Sequence, residues 1–390
     1  MSGPLKGLKV VEFGGIGPGP FCAMMLADMG ADVIRLDRKA DKGKDRGDPA
    51  FLASGRRSVL HRGRRSVAVD LKSPQDRDKV LAMLDGADSL IEGYRPGVME
   101  RLGLGPDVLL ARNPRLVYGR MTGWGQEGPL AQAAGHDINY IALSGALATI
   151  GRKVGGPIAP AAMIGDLGGG GMMLAFGIMC AVFEARNSGH GQVVDAAVLD
   201  GAALLTAIVC ELRAVGHWKD ERESNLLDGG SHFYDTYECA DGQWISLGAL
   251  EPQFYALLLE KLTITDPEFQ RQRDPSAWPS LKAKLAAIFR SQPSAHWCAL
   301  LENTDVCFGP VLSTGEAARH PHNVARDTFF ESQGVVQPSP APRFSRTPGE
   351  VHSCAATIGQ HTEEILQGSG FTAEQIAQLL ESGAIVQYSA

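Results

Sequence analysis

Leu8-Lys9-Val10-Val11-Glu12-Phe13, Gly14-Gly15-Ile16-Gly17-Pro18-Gly19-Pro20, Phe21 to Met29, Gly30, and Ala31-Asp32-Val33-Ile34-Arg35-Leu36-Asp37 follow one another near the start of the chain. The first piece reads as a β-strand and the second as a glycine-rich turn. The third reads as a helix with Pro20 as its first residue and Gly30 as its stop, and the last as a second strand. Strand, glycine turn, helix and strand make a βαβ unit, so the fold class is α/β and a bound nucleotide is the first thing to test. The dinucleotide fingerprint is broken, however. Gly15-x-Gly17 is present, but the third glycine of that spacing falls on Pro20, and Pro18 and Pro20 offer no N–H to a pyrophosphate. Asp37 could hold a ribose, yet Arg38 follows at once and points to a phosphate instead. Nicotinamide redox chemistry is therefore set aside.

Positive charge gathers downstream. Gly55-Arg56-Arg57-Ser58-Val59 is followed closely by a second copy, Gly63-Arg64-Arg65-Ser66-Val67, which leads into the extended segment Ala68-Val69-Asp70-Leu71-Lys72. A run of charge usually reads as a solvated loop. A helix over 76–84 precedes the strand Ser89-Leu90-Ile91-Glu92, which ends in Gly93-Tyr94-Arg95, and Arg101 lies one helix further on. Arg38, Lys72, Arg95 and Arg101 each follow a strand or open a helix. In an open α/β sheet such positions converge on the ligand crevice, and several cations with a tyrosine there suit a small, multiply phosphorylated adenine nucleotide. A polymer is a poorer fit, because the net charge of 390 residues is -7, with 37 basic against 44 acidic side chains. That balance predicts neither a nucleic-acid partner nor a charged membrane surface.

A strand over 116–121 leads to the central stretch. Gly135-His136-Asp137-Ile138-Asn139-Tyr140 opens it, and Gly165-Asp166-Leu167-Gly168-Gly169-Gly170-Gly171 closes it. His136 and Asp166 each stand at the mouth of an apolar, helix-like run, where main-chain N–H groups stabilise negative charge. Two such bases in one cleft suit removal of a proton from one face of a carbon and its return on the other. The glycine run reads as backbone that approaches a ligand or another chain closely.

A strand over 192–198 and a helix over 200–215 follow, and the texture changes after Trp218. Segments 233–239 and 244–248 with the turn Ala240-Asp241-Gly242 predict a β-hairpin, and 254–262 a helix. Glu251-Pro252 marks the junction between them, which suits a carboxylate at a helix N-terminus. Segment 333–350 reads as an extended loop, Thr372 to Ser382 as a final helix opened by Thr372-x-x-Gln375, and His320-Pro321-His322 as a surface loop with no metal. The longest apolar run, 172–183, is too short to span a bilayer. The N-terminus lacks the regions of a secretory signal, the C-terminal Tyr388-Ser389-Ala390 is not a peroxisomal tripeptide, and seven cysteines with no C-x-x-C pair, most of them in apolar surroundings, predict buried free thiols in a reducing, cytoplasmic setting.

Taken in order, Gly17-Pro18-Gly19-Pro20, Asp37-Arg38, Arg64-Arg65-Ser66-Val67 with Asp70-Leu71-Lys72, Arg95-x-Gly97-Val98 with Glu100-Arg101-Leu102, Gly135 to Tyr140, Gly165-Asp166, Tyr234-x-x-Tyr237 and Glu251-Pro252-Gln253-Phe254-Tyr255 resemble the racemase family of the class III CoA-transferase (CaiB/BaiF) superfamily, over nearly the whole length. The first Gly-Arg-Arg-Ser-Val copy stands outside that pattern. The resemblance implies a Rossmann-like large domain built from both chain ends, a smaller α+β middle domain and an interlocked homodimer. The corresponding boundaries are 1–195 for the first part of the large domain, 196–226 for a linker helix, 227–317 for the small domain, and 318–390 for the return. It implies a racemase acting on 2-methylacyl-CoA thioesters, with His136 and Asp166 as the two acid/base residues and Glu251 hydrogen-bonded to the His136 imidazole. Gly135, Asp137, Ile138, Asn139 and Tyr140 would hold the acyl thioester. Arg38, Val69, Asp70, Leu71, Lys72, Gly93, Tyr94, Arg95 and Arg101 would hold the CoA moiety, which enters as part of the substrate, with no metal or redox cofactor. The competing expectation is a CoA-transferase in which Asp166 is the nucleophile.

Overall fold

The computed structural model describes residues 2–39 and 55–387, and Tyr388 to Ala390 lie outside them. The described chain forms two compact units, one comprising the residues up to Ser144, Ala161–Leu205 and those from Arg326, the other Gly145–Pro160 and Thr206–Ala325.

The first unit is a six-stranded parallel sheet of β1 (Lys9–Phe13), β2 (Asp32–Arg38), β3 (Arg65–Val69), β4 (Ser89–Glu92), β5 (Val117–Thr122) and β6 (Val193–Ala197), in the spatial order β3-β2-β1-β4-β5-β6. That is a doubly wound order whose direction reverses between β1 and β4. Helices α1 (Pro18–Asp28), α2 (Pro74–Asp85), α3 (Val98–Arg101), α4 (Pro106–Arg112), α5 (Asp137–Leu143), α6 (Met173–Ser188) and α7 (Val198–Leu204) follow the strands. Cys22, Ala23, Leu26 and Ala27 of α1 pack with Leu174, Ile178 and Val182 of α6 on one face of the sheet. On the other face Val80, Met83 and Leu84 of α2 and Leu109 of α4 meet Ile365, Leu366 and Ile376 from two C-terminal helices (Thr362–Gly368 and Ala373–Glu381). Both faces are thus covered, and the central strands β1 and β4 are almost wholly buried. The C-terminal helix opens on the expected capping box of Thr372 and Gln375.

Several boundaries move for identifiable reasons. Helix α1 begins at Pro18 rather than at Pro20, because Gly17 takes φ 73° and turns the chain early. The segment Ala68 to Lys72, read as extended, is strand only to Val69, at the end of β3. Asp70 leaves the ladder and gives its N–H to Asp76 Oδ2 at 2.7 Å. The helix expected over 200–215 breaks at Leu205 into α7 and α8 (Ala207–Ala214). A short antiparallel hairpin, Phe329–Ser332 with Val335–Pro338, enters the stretch read as an extended loop.

The charge repeat divides. In its second copy Arg64 is dry and pairs with the equally dry Glu12 of β1 at 2.8 Å, with neighbouring Arg62 on Asp28 at 2.6 Å and Arg65 on Asp32 at 2.7 Å. Those cations are structural. Arg56 and Arg57 of the first copy are exposed, as a solvated loop requires. The cysteines also depart from expectation. Cys22 and Cys239 are buried, but Cys180, Cys210 and Cys307 are exposed, because the apolar helices carrying the first two turn those positions outward.

The second unit holds the antiparallel sheet β7 (Tyr234–Glu238), β8 (Trp244–Gly248) and β9 (Phe308–Val311), in that order. The hairpin follows the sequence reading; β9 arrives from 60 residues downstream of β8 and carries no local signal (308 − 248). Helices α9 (Pro252–Lys261), α10 (Trp278–Phe289) and α11 (Ser294–Leu301) supply Leu258, Leu285, Phe289 and Leu301 to its core.

Candidate active site

The carboxyl ends of β1 and β4 mark the place where strand order reverses and crevices open. The turn after β1 carries Gly17, and a β-carbon on Gly17 would stand 3.1 Å from Asp166 Oδ2. Asp166 therefore sits over this turn. It is not the cap of a helix, as the sequence suggested. A π-helical segment, Met163–Met172, runs without a break into α6, and Asp166 lies in its first turn.

The glycine run is helical, and its neighbours are helices of the same unit. A β-carbon on Gly169 would fall 2.6 Å from Ala202 N, and one on Gly171 would fall 2.8 Å from Pro18 O. Glycine at these positions lets α7 and α1 approach to backbone contact, which seats the Asp166 turn against both. Asp166 is half-buried. Burial first, and the Asp137 charge second, push its carboxyl up to about 6, while His136 pulls in the opposite direction.

His136 is the exposed N-cap of α5. Its N–H donates to Asn139 Oδ1 at 3.1 Å, and its carbonyl accepts from the N–H of Asn139 at 2.8 Å and of Tyr140 at 3.3 Å. The N–H groups of Asp137 and Ile138 precede Asn139, the first residue whose N–H donates within the helix, which leaves them directed out of the helix start. Tyr140 anchors the segment. Its hydroxyl donates to Gly135 O, and its ring meets Trp124 edge-on at 4.7 Å. Burial raises the Tyr140 phenol; Asp166 adds to the rise and Arg95 opposes it. His136, Asp137, Tyr140, Asp166 and Arg95 thus share one electrostatic neighbourhood.

The residues expected at the carrier line the same edge of the sheet. Arg38 ends β2 in register with Val69, the end of β3, and is exposed. Asp70 to Lys72 form the turn beyond, with Lys72 N–H on Asp70 Oδ1 at 3.0 Å and the Leu71 side chain half-buried. Gly93, Tyr94 and Arg95 follow β4. The buried Glu92 accepts Tyr94 N–H at 2.8 Å and the Arg120 side chain at 2.8 Å, and so fixes that loop. Arg101 closes α3, exposed, with no tie to the others. Glu251 stands in the second unit as the N-cap of α9. Sequence reasoning missed Glu92, Trp124 and the bond from Asp166 to Asp137. The first two sit in ordinary strand and loop contexts, and the third joins positions 29 residues apart.

Residues 5–362 match CoA-transferase family III. The chain is 44% identical over 378 residues to the alpha-methylacyl-CoA racemase of mouse and 43% identical over 377 residues to that of human, each comparison covering 96% of both proteins. It is also similar to the crystal structure of a CaiB/BaiF family protein from Brucella suis, with a TM-score of 0.80 and 26% identity, over 95% of this chain and 100% of that one.

Proposed function

This chain belongs to CoA-transferase family III, and we propose that it acts as its alpha-methylacyl-CoA racemase relatives are named to act. It interconverts (2R)- and (2S)-2-methylacyl-CoA thioesters by proton transfer through an enolate. The observation that carries the mechanism is the pair at the switch point: Asp166 half-buried with a raised proton affinity, and His136 close enough to act on its charge. A proton α to a thioester is far less acidic than either side chain. Its removal needs a positioned base and donors to the enolate oxygen. One of His136 and Asp166 takes the proton from one face, the other returns a proton to the opposite face, and their roles exchange with the configuration of the substrate. The main-chain N–H groups of Asp137 and Ile138 are the donors we assign to the oxygen. Arg38, Lys72, Arg95 and Arg101, with the loops around them, would bind the CoA moiety. This chemistry asks for no metal or redox group.

The homodimer belongs to the same proposal. Its support is the outer face of α6, where Phe176 and Phe183 are 67% and 71% exposed. Glu251 of a second copy would then orient the His136 imidazole. Mixed dimers of His136→Ala and Glu251→Ala chains would recover activity that neither variant has alone. A reducing, cytoplasmic setting is likewise proposed, on the seven free thiols.

The deciding experiment is incubation of either enantiomer of a 2-methylacyl-CoA in deuterated water. Both enantiomers should form, with deuterium at the α-carbon. Transfer of CoA from the thioester to an added carboxylate, with an enzyme-bound acyl group trapped by hydroxylamine and no α-exchange, would make Asp166 a nucleophile and overturn the racemase reading.

A further inference from the structure

The side chain of Asp137 is turned into the protein. It is 7% exposed, and its Oδ1 accepts the main-chain N–H of Asp166 at 2.6 Å. A β-carbon on Gly165 would lie 2.3 Å from the same oxygen, so the space that the carboxylate fills exists because residue 165 has no side chain. One residue thereby touches both halves of the site. It follows His136 in the chain and is bonded to the backbone of Asp166.

We propose that Asp137 is a positioning residue: its buried carboxylate fixes the turn that carries Asp166 and stands as a second carboxylate beside it. The inference rests on the racemase reading and gives Asp137 a side-chain role distinct from holding the thioester. A charge-assisted N–H···O bond is short and strong, and it ties two separate elements at the place where a misplacement of about 1 Å costs on the order of 10²-fold in rate. The groups facing Asp166 are few. Asp137 and His136 bring charge and Tyr140 a phenol, whereas α1 and α7 pack on this segment through Pro18, Phe21, Val198, Gly201 and Ala202, which carry none. Removing the Asp137 charge therefore removes the neighbouring charge that, after burial, helps to hold the Asp166 proton on.

Asp137→Asn keeps an acceptor oxygen and loses the charge. The acidic limb of kcat/KM for α-proton exchange should move to lower pH in this variant, by on the order of half a unit or more. Asp137→Ala, which loses the bond as well, should in addition lower turnover at every pH. Coincident acidic limbs in wild type and Asp137→Asn would overturn the proposal. Should the wild type show no α-exchange, the racemase reading fails on its own. The Asp137 inference is then decided by ¹³C titration of labelled carboxyls, with Asp166 assigned from Asp166→Asn: its midpoint must fall in Asp137→Asn. If that variant does not fold, the wild-type spectrum decides. A coupled titration of the two carboxyls supports the proposal, and two independent single-site curves reject it.

Discussion

The β-carbon that Gly17 lacks would stand 3.1 Å from Oδ2 of Asp166, at a residue whose φ is +73°. The turn between β1 and α1 is therefore built closely around the carboxylate proposed as one of the two acid/base groups. Gly17→Ala should strain the turn and push the carboxylate, lowering kcat by roughly 10-fold or more. Gly15→Ala is the control, because its β-carbon would meet only ordinary contact, Phe13 O at 3.8 Å. Equal activity in the two variants, measured on folded protein, would separate Asp166 from this turn.

His136→Ala and Asp166→Ala should each lower turnover by roughly 10²–10⁴-fold, the usual worth of a positioned acid or base. In the wild type, kcat/KM should fall as pH drops through about 6, where Asp166 takes up its proton. Both reaction directions need one proton on the His136 and Asp166 pair, so their acidic limbs should coincide. A stability test follows from the same shift. The folded state holds the Asp166 proton more tightly than the unfolded chain, so ionisation at higher pH works against the fold. Asp166→Asn should therefore unfold at a higher temperature than wild type above about pH 6. That advantage should vanish as pH falls below the ordinary carboxylate value of 3.8. An advantage that grew toward acid would show the sign to be wrong.

The βαβ reading of Leu8 to Asp37 was legible because strand, glycine turn and helix each carry a local period, and β4 and β8 matched residue for residue. The position of His136 as a helix cap was legible for the same reason. Asp166 was misplaced by one turn. The sequence Gly165-Asp166-Leu167-Gly168 looks like a loop, since glycine disfavours helix, and only the backbone contacts to Ala202 and Pro18 repay that preference. The buried pair of Arg64 and Glu12 was hidden likewise. A doubled Gly-Arg-Arg-Ser-Val gives two identical local signals, and only long-range pairing sends one inward and leaves the other in solvent.

Arg38→Ala and Arg101→Ala should raise KM more than they lower kcat, because both side chains are exposed, one at the end of β2 and the other on α3 after β4, where the carrier is proposed to bind. Added salt should weaken wild-type binding in the same direction. Steady-state kinetics at two ionic strengths measures both effects. A fall in kcat with unchanged KM would remove these cations from the carrier site.

Replacing Arg64 strands Glu12, whose carboxyl is already pushed up by complete burial. Arg64→Met should destabilise the fold by about 3–5 kcal/mol in denaturant titration, and Glu12→Gln added to it should restore part of that loss. Arg56→Met, at an exposed position of the other copy, should stay within about 0.5 kcal/mol of wild type. If the two single variants were equally stable, the assignment of one copy to the core and the other to solvent would be wrong.

The helical stretch Met163–Ser188 is 26 residues long and contains an 18-residue window with a mean hydropathy of 1.6, long and apolar enough by those measures to cross a membrane. One side of α6 is committed to the sheet through Leu174, Ile178 and Val182, which are nearly dry. The opposite side of the continuous helical stretch shows Met172, Phe176 and Phe183 to solvent at one-turn and two-turn spacings. A soluble monomer seldom leaves such a stripe uncovered. A second copy covers it in the dimer proposed above; a bilayer would cover it otherwise. Phe176→Asp with Phe183→Asp places charge on the stripe without touching the packed side. Light scattering on purified protein should report a dimer for wild type and a monomer for the double variant, with loss of α-exchange if the partner completes the site. A wild type that is monomeric in buffer, or that partitions into vesicles and leaves them when the charges are introduced, would reject the dimer.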